Sequence, residues 1–306
     1  MLNYIARRLV AAVPTLLGVS LVVFLMVRLL PGDPARVIAG LLASETDVEQ
    51  LRHQLGLDQP AVIQYLTFLW RLVHLDLGTS ARTGQPVASE VLARLPWTIV
   101  LASSSIAVAA VVGISAGAVA ALRQNGRLDY LISACMLFGV SMPVYWFGLM
   151  LIIIFAIRLQ WLPAAGTEDP LAWVLPTITL SAFSVALIAR MTRSTVLDVL
   201  RADFVRTAHA KGLRDRAVLY AHVLRNALLP VLTVVGLQFG TLLGGAALTE
   251  TVFGWPGMGQ LLVDALFARD YPVVQGVVLT FSSLFILVNL AVDVLYAYVD
   301  PRIHYG

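Results

Sequence analysis

Few side chains in this 306-residue sequence have the types and spacing that catalysis or metal binding requires. A chain that hydrolyses ATP needs a glycine-rich turn that ends in Gly-Lys-Ser or Gly-Lys-Thr. Lys211 is the only lysine, and it lies between Ala210 and Gly212, so the sequence cannot form that turn. The single cysteine, Cys135, excludes an internal disulfide and a cysteine-based metal cluster. We therefore expect a non-catalytic chain that binds no metal or other cofactor itself.

The segment around Lys211 has the features of a docking surface. The small residues Thr207, Ala208 and Ala210 precede Gly212, which can adopt the left-handed conformation that ends a helix. A second short helix is predicted before Pro230, and we expect this proline in the first turn of a long helix. Small residues let another backbone approach closely, while the surrounding arginines supply polar anchoring.

The rest of the chain is apolar enough to require lipid as its solvent. Hydrophobic residues make up 59% of it and charged residues 13%, against about 25% charged residues in a soluble domain. A membrane helix needs roughly 20 apolar residues. Six windows meet that length: 9–30, 97–121, 131–157, 173–192, 230–249 and 274–299. The sequence predicts an all-α integral membrane protein, a single transmembrane domain over residues 1–306, and no nucleic-acid surface.

The arginines predict the orientation of these spans. They concentrate at Arg7 and Arg8, at Arg123 and Arg127, and in the segment 194–229. Positive charge is typical of cytoplasmic loops. Both termini are therefore predicted to be cytoplasmic, and the segments 31–96, 158–172 and 250–273 to lie outside.

The outer segment 31–96 is predicted to form a small helical cap. Thr46 and Glu49 have the spacing of a capping box, and Gly56 would stop that helix. A second helix is predicted from Pro60 to His74.

Several intramembrane residues have both a structural and a functional interpretation. Glycines every four residues predict close helix packing. One such ridge contains Gly236, Gly240 and Gly244. This ridge could instead form a seam with another subunit or line a path through the membrane. Gly113 and Gly117 form a shorter ridge.

Asn289 and Asp293 fit an interhelical polar clamp or an ion site. Glu250 and Trp255, at the outer end of the fifth span, fit an interface anchor or a gate or protein contact. His209 and His222 fit surface or hydrogen-bonding roles, because no third metal ligand is nearby.

Short motifs along nearly the whole chain share one order and spacing. They are Leu30-Pro31-Gly32-Asp33-Pro34, Leu55-Gly56-Leu57-Asp58-Gln59-Pro60, Asp76-Leu77-Gly78 with Ser80, Arg206-Thr207-Ala208 with Ala210-Lys211-Gly212, His222 with Leu224-Arg225-Asn226 and Pro230, Glu250 with Trp255-Pro256-Gly257 and Gly259, Arg269-Asp270-Tyr271-Pro272, and Asp293 with Tyr296 and Asp300-Pro301-Arg302. With these motifs the chain resembles ABC importer permeases of the dipeptide, oligopeptide and nickel branch. Arg206 stands where the broader importer pattern has glutamate.

This resemblance implies a type I importer in a bacterial cytoplasmic membrane. It implies a second permease chain, homologous to this one but different from it, two cytoplasmic ATPases that hold ATP and magnesium, and an extracytoplasmic binding protein. It also implies that the ATPases bind the segment that comprises Asp203, Arg206, Thr207, Ala208, His209, Ala210, Lys211, Gly212, Leu213 and Arg214. Peptides or glutathione are the predicted substrates. A nickel-chelate importer and a self-sufficient carrier or channel stay open as alternatives.

Overall fold

The computed structural model describes residues 2–29, 34–39, 43–54 and 56–299, and in these residues the chain is helical, without a β-strand. The motif residues 30–33, 55 and 300–302 lie outside the described part. The helices are α1 (Leu2–Leu29), α2 (Pro34–Ala39), α3 (Glu45–Gln54), α4 (Ala61–Val73), α5 (Val87–Leu122), α6 (Arg127–Ser141), α7 (Val144–Leu151), α8 (Val174–Leu200), α9 (Asp203–Ala210), α10 (Asp215–Ala217), α11 (Arg225–Gly245), α12 (Ala247–Val252), α13 (Met258–Ala268) and α14 (Tyr271–Val299). Two π-helical segments, Ile152–Arg158 and Val218–Leu224, extend α7 and connect α10 to α11.

Four described helical segments are long and apolar enough to cross a membrane. They are Val87–Leu122, Val174–Leu200, Asp215–Gly245 and Tyr271–Val294. A fifth candidate consists of two segments, Arg127–Ser141 and Val144–Arg158, which meet at an angle of 107°. In α1, the stretch Val10–Met26 is a shorter apolar helix. The total of six spans stays a prediction.

The third predicted span is bent rather than straight. Met142 is extended (φ −82°, ψ 135°), and Pro143 follows it before α7 begins. A residue before proline is driven out of the helical region by a clash with the proline ring. The single window 131–157 therefore contains two helices, because Pro143 interrupts an otherwise apolar stretch.

The centre of the bundle is the contact between α5 and α8, and its closeness depends on two glycines. A Cβ at Gly117 would lie 2.3 Å from the carbonyl oxygen of Ala189, and one at Gly113 would lie 2.9 Å from Ile188 Cγ2. Both glycines are buried. The packing predicted for this ridge is confirmed.

The outer segment contains the two predicted helices, with a different start for the first. Ser44, rather than Thr46, caps α3: its Oγ accepts from the Asp47 N–H at 3.2 Å, and the Ser44 N–H donates to Asp47 Oδ2 at 3.2 Å. The capping box predicted for Thr46 and Glu49 is therefore formed two residues earlier, by Ser44 and Asp47, because Ser44 offers an equivalent hydroxyl group. Gly56 has φ +65° and follows α3, as predicted.

Candidate functional site

The predicted docking segment forms α9 and the turn that follows it. Its polar side chains are exposed: Asp203 is 97% and Arg206 81% exposed. Thr207, His209, Ala210, Lys211 and the residues 212–214 are exposed as well. The face that a partner could contact is therefore continuous from the start of α9 to Arg214.

Gly212 ends α9 in the conformation that the sequence predicts. Its φ is +78°, in the left-handed region. The Gly212 N–H donates to the His209 carbonyl at 2.9 Å, and the Leu213 N–H donates to the Ala208 carbonyl at 3.3 Å. These two bonds form a Schellman motif, which satisfies the last carbonyls of a helix. No atom lies within 4 Å of a Cβ built on Gly212, so its backbone conformation, and not lack of space, favours glycine there.

The opposite face of α9 is packed against the bundle. Val205 and Ala208 are 2% and 6% exposed, in an apolar cluster with Ala121 of α5, Val196 of α8 and Ala227 of α11. Ala208 therefore belongs to the base of α9, although the sequence groups it with the docking residues. Within this cluster α9 contacts the π-helical segment Val218–Leu224, and residues near the ends of α5, α8 and α11 complete the cluster.

The chain from Asp215 to Gly245 is one continuous helix that contains the π-helical segment Val218–Leu224. Pro230, predicted in the first turn of the fifth span, instead lies inside α11. Proline removes one hydrogen bond from a helix interior. Ala227 and Val231, on either side of it, are 1% and 0% exposed, so tertiary packing holds the helix across that gap.

The glycine ridge on α11 packs partly within the chain. A Cβ at Gly236 would lie 2.3 Å from Val292 Cγ2, and one at Gly240 would lie 3.1 Å from the Phe285 ring, both on α14. Nothing lies within 4 Å of a Cβ at Gly244. Packing against α14 is confirmed for two of the three glycines, and a seam with a second subunit stays a prediction.

Asp293 pairs with a residue of the first helix. Its Oδ2 lies 3.2 Å from Arg8 Nη2, which connects α14 to α1 as a polar clamp would. Asn289, one turn earlier, has a buried Oδ1 without a hydrogen-bond partner among the described residues. That Asn289 or Asp293 lines a translocation path stays a prediction.

Glu250 and Trp255 form the centre of a buried hydrogen-bonded turn. The Glu250 carboxylate accepts from Thr98 Oγ1 at 2.7 Å and from the N–H groups of Gly259 and Gln260 at 2.7 and 3.0 Å, at the start of α13. Burial raises the pKa of the Glu250 carboxyl, while these three bonds act in the opposite direction. A Cβ at Gly257 would overlap this carboxylate.

Trp255 is also inside the chain rather than at a lipid surface. Its Nε1 donates to the Trp97 carbonyl at 3.0 Å, and the two indole rings meet edge to face. Trp255 is 3% and Glu250 0% exposed, so the interface anchor inferred for Trp255 does not match its position. Contact of either residue with a binding protein stays a prediction, and it would require this turn to open.

Asp270 joins two motifs that are far apart in the sequence. It is 3% exposed and accepts hydrogen bonds from Ser80 Oγ at 2.5 Å and from the N–H groups of Ala81 and Arg82, both at 3.1 Å. Sequence reasoning assigned no role to this carboxylate. The signal available was the presence of both Asp270 and Ser80 in motifs on the same predicted side of the membrane.

An ion pair at the other end of the bundle was also missed. Arg193 Nε and Nη2 each donate to one Asp129 oxygen, both at 2.7 Å, which joins α8 to α6. Asp129 also accepts from the Asn125 N–H at 2.9 Å. Within the described residues, no group of three or more His, Cys, Asp or Glu could hold a metal ion.

Comparison with known proteins supplies the family. Residues 113–305 match the family described as binding-protein-dependent transport system inner membrane component, and residues 1–102 match the corresponding N-terminal family. The chain is 47% identical to the glutathione transport system permease protein GsiC of Pectobacterium atrosepticum. It is 44% identical to the dipeptide transport system permease protein DppB of Alkalihalophilus pseudofirmus. In both comparisons the match covers 100% of this chain and 100% of the relative.

The fold is shared with solved transporters. A chain of the methionine ABC transporter MetNI, in an inward-facing conformation, has a TM-score of 0.60 and 19% identity over 69% of this chain and 96% of that one. A chain of an amino acid ABC transporter has a TM-score of 0.52 at 15% identity, over 70% and 94% of the two chains. The all-helical bundle therefore has the fold of these ABC transporter chains. Together with the full-length matches, it places this chain in the family of binding-protein-dependent transport system inner membrane components.

Proposed function

We propose that this chain is a permease subunit of an ATP-driven importer of small peptides, with dipeptides and glutathione as the substrate class. In this proposal a second permease chain completes the translocation path and an extracytoplasmic binding protein delivers the substrate. Two ATPase subunits, which hold ATP and magnesium, bind α9 and the turn at Gly212. Both chain termini are cytoplasmic, in a bacterial cytoplasmic membrane.

The observation that carries the coupling role is the two-sided packing of α9. Its outer face, from Asp203 to Arg214, is exposed, while Val205 and Ala208 are buried in one cluster with the π-helical segment Val218–Leu224 and the ends of α5, α8 and α11. A packed cluster transmits displacement because its side chains leave few voids. Movement of a bound ATPase would therefore displace three long helices together, as a rigid-body transition between two states requires.

The substrate class rests on the full-length similarity to dipeptide and glutathione permeases. The test is uptake of labelled dipeptide, glutathione and nickel by cells with and without this chain, with its partner subunits present in both. We expect loss of peptide or glutathione uptake when the chain is absent. Loss of nickel uptake alone would reject the peptide assignment and favour the nickel-chelate alternative.

A self-sufficient carrier is distinguished by purification. The proposal expects ATPase subunits to copurify with the chain in a fixed ratio and expects no transport by the chain alone in liposomes. Transport by the isolated chain, without ATPases, would reject the coupled importer.

A further inference from the structure

The helix α4 carries an apolar face that no described residue of the chain covers. Its exposed residues Val62, Leu66, Trp70 and Val73 recur at helical spacing and are 70%, 58%, 68% and 78% exposed. None of the α4 residues is buried. A surface of this kind in water would be costly, since each exposed apolar side chain loses its share of burial free energy.

The position of α4 is fixed by its inner face, which crosses α1. The Phe24 ring lies 5.2 Å from the Tyr65 ring and 6.0 Å from the Phe68 ring, centroid to centroid. Tyr65 also bonds with Ser20 Oγ, at 2.9 Å between the oxygens. Arg28, near the end of α1, donates to Gln64.

These contacts place α4 at the depth of the apolar part of α1. Phe24 belongs to the apolar stretch Val10–Met26 and precedes the end of α1 at Leu29 by about 7 Å of helix. At the same level α1 exposes Val22, Leu25 and Met26, which are 57%, 42% and 52% exposed. At about 100° per residue, the open face of α4 and this face of α1 each lie on the side of the helix away from the contact between them, at the same depth along α1.

The length and polar residues of α4 fit a helix that lies in the membrane interface. Its 13 residues span about 20 Å, too short for the roughly 30 Å of a hydrocarbon core. Arg71 is its only charged residue, and the Trp70 and His74 rings lie 4.5 Å apart, centroid to centroid and tilted by 49°, where the helix ends. Tryptophan is enriched at membrane interfaces, and an arginine side chain can extend from apolar surface to water.

We infer that α4 is an in-plane membrane anchor, whose face of Val62, Leu66, Trp70 and Val73 is seated in the lipid leaflet in which α1 ends. The ligand of this surface is bilayer lipid rather than a docked protein. The face carries no charged side chain with which to recognise a protein that arrives from water, and it lies at the depth of the apolar stretch Val10–Met26 of α1. This anchor would hold the outer segment in place without substrate or ATP.

The test measures what surrounds Leu66 in the assembled transporter in liposomes. A nitroxide label is attached at Leu66→Cys in a Cys135→Ser background, and its collision rates with oxygen and with a water-soluble nickel chelate are compared. Oxygen concentrates in lipid and the chelate in water. Val22→Cys on α1 is the lipid-facing reference, and Gln59→Cys in the exposed turn before α4 is the aqueous reference.

We expect the oxygen-to-chelate collision ratio at position 66 to equal that at position 22 and to exceed that at position 59 severalfold. A ratio like that at position 59 would overturn the inference, because the face would then lie in water. Protection from both reagents would also overturn it, because a protein would then cover the face. Val73→Cys, on the same face, repeats the measurement if the Leu66 variant fails to assemble.

Discussion

Asp129 and Arg193 show how much a single pair of charges can contribute at the end of a helix bundle. The Asp129 side chain is 4% exposed, and both of its oxygens accept from one guanidinium. This bidentate ion pair holds α6 against α8 in one orientation, because a planar guanidinium donates two parallel hydrogen bonds to one carboxylate. Removing Arg193 would leave the Asp129 carboxylate buried and unpaired, whereas removing Asp129 would leave a guanidinium whose side chain is 29% exposed.

Arg193→Gln is therefore expected to lower the free energy of unfolding by about 3 kcal/mol, and Asp129→Asn by less, because water can reach the Arg193 guanidinium. The double variant should lose less than the sum of the two, because it leaves no unpaired charge. Denaturant unfolding of the detergent-solubilised chain measures this. Arg190→Gln, an exposed arginine on the same helix, is the control and should have little effect. Strictly additive losses would contradict the pairing.

At the same scale, the sequence identified several residues and could not identify their partners. Glu250, Trp255 and Gly259 were recognised as a motif, yet their role at the start of α13 depends on Thr98, more than 150 positions earlier. Asp270 and Ser80 bond across 190 positions. Local patterns give helix ends such as Gly212, but long-range hydrogen bonds depend on packing that no local pattern encodes.

Among the elements, α9 and its terminal turn carry the most specific prediction. Gly212→Val should strain the turn, because a β-branched residue at φ +78° is an outlier. We expect severalfold lower substrate uptake at an unchanged amount of chain in the membrane, with ATP hydrolysis no longer linked to uptake. Uptake and ATPase activity of the reconstituted complex measure both effects.

Gly166→Val supplies a matched control for that experiment. Gly166 has φ +87° and, like Gly212, nothing within 4 Å of its built Cβ, but it lies in the loop between α7 and α8. The same backbone strain there should leave coupling intact. Equal loss of coupling in both variants would attribute the effect to general destabilisation and contradict a docking role for the Gly212 turn.

Element boundaries were predictable where local chemistry decides them and not where packing does. Apolar windows located the long helices, because their composition alone requires lipid. The bend at Pro143 was missed, since one proline inside a long apolar window does not reveal whether a helix kinks or ends. The continuation of the helix through Pro230 was missed for the opposite reason, since burial of Ala227 and Val231 maintains a helix that the proline weakens.

For the whole molecule, the proposed coupling to ATPases requires α9 to face the cytoplasm. Arginine placement predicts the cytoplasm for α9 and for both termini. The cluster around Val205 also contains residues of α5, α8 and α11. An energy source bound to α9 would therefore act on these three helices through the cluster. In the proposed function that source is an ATPase subunit bound to α9.

The most direct measurement is the accessibility of a single cysteine at Lys211→Cys, in the Cys135→Ser background, to a membrane-impermeant maleimide. The account predicts no labelling from outside intact cells, labelling after the membrane is opened, and protection when the ATPase subunits are bound. Labelling from outside intact cells, or equal labelling with and without the ATPases, would contradict it.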